Sequence, residues 1–173
     1  MLFKFTVALK SVCDINMKLL KRHNIKALIL DLDNTLTTHD NPKPTHGVLE
    51  WISLMKKNNI KLIIVSNNDY DRVKPFAELL GIDFIPNGKK PLSRGFDEAQ
   101  KRMNISFSKI AVVGDQIFTD ILGANLKGLT SFFVFPIENE KKLLFKIKRV
   151  LEKPFLPKDV SSIYMKNDKK NWF

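Results

Sequence analysis

Short unbroken apolar runs alternate with amphipathic stretches along most of the chain. Runs such as 25–33, 60–68, 109–115 and 130–135 lack the polar alternation of a half-exposed strand, so they predict strands that are buried on both faces. The stretches between them space their apolar residues as helices do. Alternating strands and helices predict an α/β fold, with a parallel sheet and helices on both of its faces.

Two aspartates stand one residue apart at the end of the first of these runs, in LILDLDNTL at residues 28–36. Like charges this close repel each other, and burial makes both carboxylates costlier. The pair therefore predicts either a cation held between Asp31 and Asp33 or a protonated carboxyl that works as an acid.

Polar side chains also follow the other predicted strands at their carboxyl ends. They are Ser66, Asn67 and Asn68 after the second strand, and Gly114 and Asp115 after a later one. A lysine, Lys89 or Lys90, precedes a predicted helix. Because ligands of open α/β sheets bind at the carboxyl ends of the strands, we expect these groups to meet at one edge of the sheet.

Such a cluster suits phosphoryl transfer. Asp31, Asp33 and Asp115 offer hard oxygen ligands, which fit octahedral Mg²⁺. A lysine and a serine hydroxyl can neutralise and hydrogen-bond phosphoryl oxygens, and backbone N–H groups after Asp31 can cradle the same oxygens. One carboxylate can attack phosphorus and form an aspartyl-phosphate, while a second carboxyl serves as acid and then as base.

The motifs DLDNTL, VSNN, KKP and VGDQIFTD stand in the order found in phosphatases of the haloacid dehalogenase (HAD) superfamily, which the chain resembles. The resemblance implies a Rossmann-like HAD fold, Mg²⁺ as cofactor, Asp31 as nucleophile and Asp33 as general acid and base. The other residues it implies are Ser66 and Lys90 for the substrate, with Lys89 less favoured, and Asp31, the Asp33 carbonyl, Asp115 and the supporting Asp120 for the metal. Asn34 and Asn67 are further candidates for substrate contact, and we expect Asn34 to shape the loop and offer its backbone amide.

The intervals between these motifs are short. About 35 residues separate Asp31 from Ser66, and about 25 separate Ser66 from Lys90 and Lys90 from Asp115. Each interval holds one helix, so we expect no inserted cap domain. An uncapped site is open, which favours a bulky substrate or a phosphate displayed on a membrane or macromolecule; a small substrate would need a partner subunit to cover it.

Two longer stretches, SVCDINMKLLKRHNIKALILDLDNTL and GDQIFTDILGANLKG, resemble the YqeG family of HAD subclass IIIA. That family is similar to the yeast mitochondrial phosphatidylglycerophosphate phosphatase, so the implied reaction converts phosphatidylglycerophosphate to phosphatidylglycerol. The alternatives are a phosphatase for nucleotides, sugar phosphates or nucleic-acid ends, and a non-enzymatic interaction module. The filled catalytic positions disfavour the module. Nucleic acid is disfavoured because no aromatic residues interleave with basic ones close to the motifs.

A formal net charge of +11 favours anionic partners, and we expect a peripheral contact with an anionic membrane. The residues expected to make it are Lys4, Lys10, Lys18, Lys21, Arg22, Lys141, Lys142, Lys146, Lys148 and Arg149, with Phe3, Phe5, Phe145, Phe155 and Trp172 inserted or, alternatively, packed in the core. No apolar stretch approaches the roughly 20 residues that span a bilayer. The expected location is therefore cytoplasmic, at the inner face of the membrane, with a phosphorylated lipid headgroup as substrate.

The predicted organisation has three parts. An amphipathic basic arm covers residues 1–24, a HAD-like phosphatase domain covers 25–153, and a poorly ordered tail covers 154–173. The single cysteine, Cys13, excludes a disulfide within the chain. Nothing in the pattern predicts an oligomeric state.

Overall fold

A computed structural model of the chain describes residues 2–39, 41–139 and 143–156. The strands are β1 (Val7–Leu9), β2 (Ala27–Leu30), β3 (Lys61–Val65), β4 (Asp83–Ile85), β5 (Ile110–Gly114) and β6 (Thr130–Val134). The helices are α1 (Met17–Arg22), α2 (Val48–Lys57), α3 (Tyr70–Leu80), α4 (Arg94–Met103), α5 (Leu122–Leu126) and α6 (Leu143–Glu152). A π-helical segment, Ile117–Ile121, leads directly into α5.

The strands form one sheet in the order β1-β6-β5-β2-β3-β4, and every neighbouring pair is parallel. Leu30 of β2 lies opposite Ile64 of β3 and Val113 of β5, so these central strands end almost level. The predicted α/β fold is confirmed. Between β2 and β6 the described chain places a single helical connection after each strand and no inserted cap.

Helices cover both faces of the sheet because successive strand residues point to opposite sides. On one face, side chains of α1, α2 and α3 pack with strand residues such as Leu28 and Ile64. On the other face, α4 and α5 pack with residues such as Ile29 and Val65. Burial on both faces explains why the strands are continuous apolar runs in the sequence.

The N-terminal segment, expected to be an amphipathic basic arm over residues 1–24, contributes a strand and core side chains. β1 pairs with β6 at the edge of the sheet, and Leu19 and Leu20 of α1 are buried in the core. A three-residue strand is too short to give a periodic signal, so only its pairing with β6 reveals it. Phe3 and Phe5, considered for membrane insertion, are partly buried against Phe133 and its neighbours.

The predicted C-terminal tail lies outside the described residues beyond position 156, as does Trp172. Phe155, within the predicted tail, packs its ring on Phe3, with the ring centroids 4.7 Å apart. In the part of the chain that is described, no helix combines the length and apolar character needed to cross a membrane.

Candidate active site

The central strands bring the sequence motifs to one edge of the sheet. Asp31 directly follows β2, Ser66 follows β3 and Asp115 follows β5. These three strands are parallel neighbours, so their carboxyl ends lie side by side. The expected convergence of the first, second and fourth motifs therefore follows from the strand order.

Three buried carboxylates meet at this edge. Asp31, Asp115 and Asp120 each offer an oxygen that lies within 4.8 Å of the others. Lys90 Nζ donates to Asp31 Oδ1 at 2.5 Å and to Asp120 Oδ1 at 2.7 Å. Thr35 Oγ1 lies 3.4 Å from Asp31 Oδ2 and 3.4 Å from Asp115 Oδ1. One lysine and one hydroxyl thus tie together acids that are far apart in sequence.

Burial controls the charge of these groups. Desolvation raises the pKa of Asp31 to about 6, although the Lys90 ammonium acts in the opposite direction. Desolvation also raises the pKa of Asp115 well above its usual range, against the lowering effect of the Arg149 guanidinium. Burial by itself lowers the pKa of Lys90, but Asp120 and Asp31 more than offset this and hold it above its usual value. The lysine stays charged, and the acids resist ionising together.

This donor set fits a hard divalent cation. Mg²⁺ prefers oxygen ligands and keeps several of its waters, so it needs only a few carboxylates from the protein. Asp31, Asp115 and Asp120 supply three within reach of one point. Burial raises the pKa values of Asp31 and Asp115, which shows a local shortage of positive charge. A bound cation would relieve that shortage.

Asp120 reaches the cluster because glycine ends β5. A Cβ placed on Gly114 would lie 2.3 Å from Asp120 Cγ, so any larger residue would displace the carboxylate. Asp120 lies in the π-helical segment, and its Oδ2 accepts from Gln116 N at 3.3 Å. π-helical turns recur at functional sites, and here the wider turn carries the acid towards Lys90.

The side chain of Asp33 lies outside the three-acid cluster. Its Oδ1 accepts from Arg72 Nη2 at 2.7 Å and its Oδ2 accepts from Asn68 Nδ2 at 2.5 Å. His39 Nδ1 lies 3.6 Å from the same Oδ2. Arg72, in the first turns of α3, was not among the predicted site residues.

Ser66 and Asn67 reach the site in different ways. Ser66 is buried, and its Oγ accepts from Asn68 N at 3.1 Å. The Asn67 amide bonds the backbone of Lys90 twice, since Oδ1 accepts from Lys90 N at 2.7 Å and Nδ2 donates to Lys90 O at 3.0 Å. Asn67 therefore positions Lys90. Lys89 is exposed, so the structure brings Lys90 rather than Lys89 to the acids.

Asn34, predicted to contact substrate, has other contacts in the structure. Its backbone N–H donates to Thr37 O at 2.6 Å, and its Oδ1 accepts from Glu138 N at 3.2 Å. The residue is fully buried, with a positive φ of 61°. Asparagine tolerates this left-handed conformation better than most residues, so Asn34 shapes the turn after β2 and holds the chain that follows β6.

Helix α6 contacts the site, which the sequence pattern did not predict. Arg149 Nη1 donates to the backbone oxygen of Asp115 at 2.7 Å, and Arg149 Nη2 pairs with the Asp115 carboxylate. Lys148 bonds the Gln116 side chain, and buried Glu152 accepts from Arg149 Nη1 at 3.1 Å. Lys148 and Arg149, assigned from sequence to a membrane contact, thus turn towards the site. Lys141, Lys142 and the Phe145 side chain lie outside what the structure describes.

Asp31→Asn is expected to stabilise the cation-free protein above about pH 6. The Asp31 carboxyl has a pKa of about 6 in the folded protein, against an ordinary pKa of 3.8, so its contribution to stability falls as pH rises between these values. The difference between the two pKa values corresponds to about 3 kcal/mol. Melting temperatures are measured in EDTA from pH 4.5 to 8. The melting temperature of the variant should rise relative to that of the wild type as the pH increases.

The control is the exposed Asp83→Asn variant, which removes one negative charge and a surface ion pair with Arg102 outside the cluster. A difference between Asp31→Asn and the wild type that is the same at every pH would contradict the raised pKa.

A Rossmann-like parallel sheet with an acid–lysine cluster at its carboxyl edge is typical of α/β proteins that act on phosphoryl groups. The family model for haloacid dehalogenase-like hydrolases matches residues 37–126. The chain belongs to this family.

Individual relatives agree with this assignment. The chain is 39% identical over 147 residues to the probable phosphatase YqeG of Bacillus subtilis, covering 85% of this chain and 86% of the relative. It is 36% identical over 118 residues to the mitochondrial phosphatidylglycerophosphatase GEP4 of Saccharomyces cerevisiae, covering 61% and 64%. A solved Listeria monocytogenes serotype 4b protein shares the fold at a TM-score of 0.54 and 20% identity, over 73% of this chain and 97% of that one.

Proposed function

We propose that this phosphatase depends on Mg²⁺ and removes the terminal phosphate of phosphatidylglycerophosphate to give phosphatidylglycerol. The observation that carries the chemistry is the buried contact of Lys90 with Asp31 and Asp120 beside Asp115. The lipid substrate is supported by the likeness to a phosphatidylglycerophosphatase over 118 residues.

Asp31 is the proposed nucleophile. One carboxylate oxygen attacks phosphorus, the bond between phosphorus and the ester oxygen breaks, and Asp33 gives its proton to that leaving oxygen. A water then attacks the aspartyl-phosphate, ionised Asp33 takes a proton from it, and the bond between phosphorus and Asp31 breaks to release inorganic phosphate. Before its first transfer Asp33 has to take up a proton from solvent and exchange its contacts with Arg72 and Asn68 for the substrate.

The proposed metal ligands are Asp31, the main-chain carbonyl of Asp33 and Asp115, with Asp120 in support. When bound, Mg²⁺ would supply positive charge that neutralises the nucleophile and the phosphoryl oxygens. Lys90 adds a second positive charge at Asp31 Oδ1, and Asp120 keeps the lysine in place.

The proposed substrate contacts come from the second and third motifs. In the structure Ser66 Oγ accepts a hydrogen bond from Asn68 N. The hydroxyl hydrogen of Ser66 can therefore be donated to a phosphoryl oxygen. Lys90 pairs with the phosphoryl group by charge, and Asn67 contributes by fixing the lysine backbone. The fold carries no inserted cap between β2 and β6 of the described chain, so a headgroup at a bilayer surface can approach the site. We place the protein at the inner face of a membrane for this reason.

A substrate screen with purified protein tests this function. Phosphatidylglycerophosphate is compared with nucleotides, sugar phosphates and 3′-phosphorylated DNA, each in Mg²⁺ and in EDTA. We expect kcat/KM to be highest for the lipid and activity to vanish in EDTA. A clear preference for a nucleotide or sugar phosphate would exclude the lipid substrate, and full activity in EDTA would exclude the metal.

A further inference from the structure

Helix α6 turns its apolar side towards solvent. Five of its side chains form one stripe with exposed fractions from 49% to 81%, which we call the α6 apolar face. They are Leu143, Leu144, Ile147, Val150 and Leu151. Their spacing of one, three and four residues places them on the same side of a helix.

This orientation is the reverse of the usual one, in which a surface helix buries its apolar stripe. The reason lies on the opposite side of α6, where Arg149 bonds Asp115 and buried Glu152 accepts from Phe118 N at 3.2 Å. Rotating the helix to bury the stripe would break these contacts and leave the Asp115 carboxylate without its guanidinium. The active site therefore holds the apolar face outward.

The charges around this face have one sign. Lys146 and Lys153 are exposed on α6 and just after it. Residues 2–5 join the same surface, since Phe3 packs on Phe155, and they add the exposed Lys4. Across the described residues 2–5 and 143–156, Glu152 is the one acid, and it is buried. The surface is thus apolar with a lysine border.

We propose that the α6 apolar face docks on the surface of an anionic lipid bilayer and holds the catalytic edge against it. The inference rests on the proposed function, because a substrate held in a bilayer requires the site to stay at that surface. An interfacial helix buries its apolar side among the headgroups, and nearby lysines add attraction to anionic lipids. Since Arg149 joins the same helix to Asp115, docking places the acid cluster near the headgroups.

The charge pattern favours this occupant over two others. A second copy would bring two lysine borders together, which like charges oppose. Residues 157–173 carry more lysines than acids. The same repulsion between like charges therefore opposes their packing beside the lysine border. An anionic membrane offers an apolar interior to the α6 apolar face and negatively charged headgroups to its lysine border.

Vesicle flotation tests the proposal with the full chain. The vesicles contain phosphatidylglycerol and phosphatidylcholine, or phosphatidylcholine alone; neither carries a phosphate monoester, so binding reports docking rather than substrate capture. The test variant is Leu144→Ser/Ile147→Ser/Leu151→Ser. The matched control is Leu49→Ser/Leu54→Ser/Leu79→Ser, which removes three apolar side chains with exposed fractions of 44% to 52% from α2 and α3.

We expect the wild type and the control to float with the anionic vesicles and not with the neutral ones. The α6 variant should lose about tenfold or more of its partitioning, because it loses most of the apolar area that enters the interface. Hydrolysis of soluble p-nitrophenyl phosphate should be equal in all three proteins. Turnover of phosphatidylglycerophosphate in vesicles should fall with binding.

Other results would overturn the docking proposal. These are wild-type protein that does not float, an α6 variant that floats as the control does, or light scattering that shows a wild-type dimer split by the α6 substitutions. Wild type that hydrolyses phosphatidylglycerophosphate in detergent without floating would remove docking and leave the proposed function. Flotation as expected, with no hydrolysis of the lipid, would support docking and remove the proposed substrate.

Discussion

Asp31→Asn is expected to lower kcat by at least about 10³-fold on every phosphate monoester that the protein accepts. The amide cannot attack phosphorus, and it removes the acceptor that Lys90 Nζ meets at 2.5 Å. Steady-state kinetics with Mg²⁺ measure the effect, using a soluble monoester so that membrane binding plays no part. Phosphate binding should persist in part, because the other proposed phosphate contacts, Ser66 and Lys90, remain.

The control for this variant is again Asp83→Asn, which alters an exposed carboxylate outside the cluster and should keep turnover within a factor of about two. Near-normal kcat in pure, folded Asp31→Asn protein would exclude the aspartyl-phosphate mechanism.

Lys90→Met is expected to reduce the unfolding free energy by about 3–5 kcal/mol at pH 8 in EDTA. Lys90 is buried with its ammonium between Asp31 and Asp120, so its removal leaves two buried carboxylates without their shared cation. Methionine keeps a similar length and apolar stem, which limits any effect of a cavity. Urea unfolding measures the change, and kcat should fall by about 10²-fold or more in parallel.

Lys89→Met is the matched control for this prediction. The neighbouring side chain is exposed, so the change should stay within about 0.5 kcal/mol and leave kcat nearly unaltered. Similar losses in the two variants would show that the position of the charge is unimportant and that Lys90 has no special role.

The convergence of the acids could be predicted because it depends on local patterns. Asp31, Ser66 and Asp115 each follow an apolar run of a length typical of a buried strand, and parallel strands separated by single helices place such ends at one edge. The choice between Lys89 and Lys90 was different. Two adjacent lysines look alike in a sequence, and only the backbone between β4 and α4 turns one inward and the other outward.

The partners of the acids could not be predicted. Arg72 contacts Asp33 across 39 residues, and Arg149 contacts Asp115 across 34, and ion pairs this far apart leave no periodic trace in the chain. Asn34 shows the same limit. Its substrate contact stays a prediction, while its contact with Glu138, in the chain that follows β6, joins residues 104 positions apart and could not be predicted.

The sequence by itself determined the alternation of strands and helices, the acids at the strand ends and the apolar and basic residues of the stretch that forms helix α6. These are short-range properties, since the spacing of apolar residues and the polar residues at strand ends can each be seen in a few consecutive positions. Tertiary structure alone decided which side of that helix faces the protein. Arg149 faces the sheet edge because it pairs with the buried carboxylate of Asp115. The cost of burying that carboxylate without a positive partner outweighs the usual preference for burying leucines.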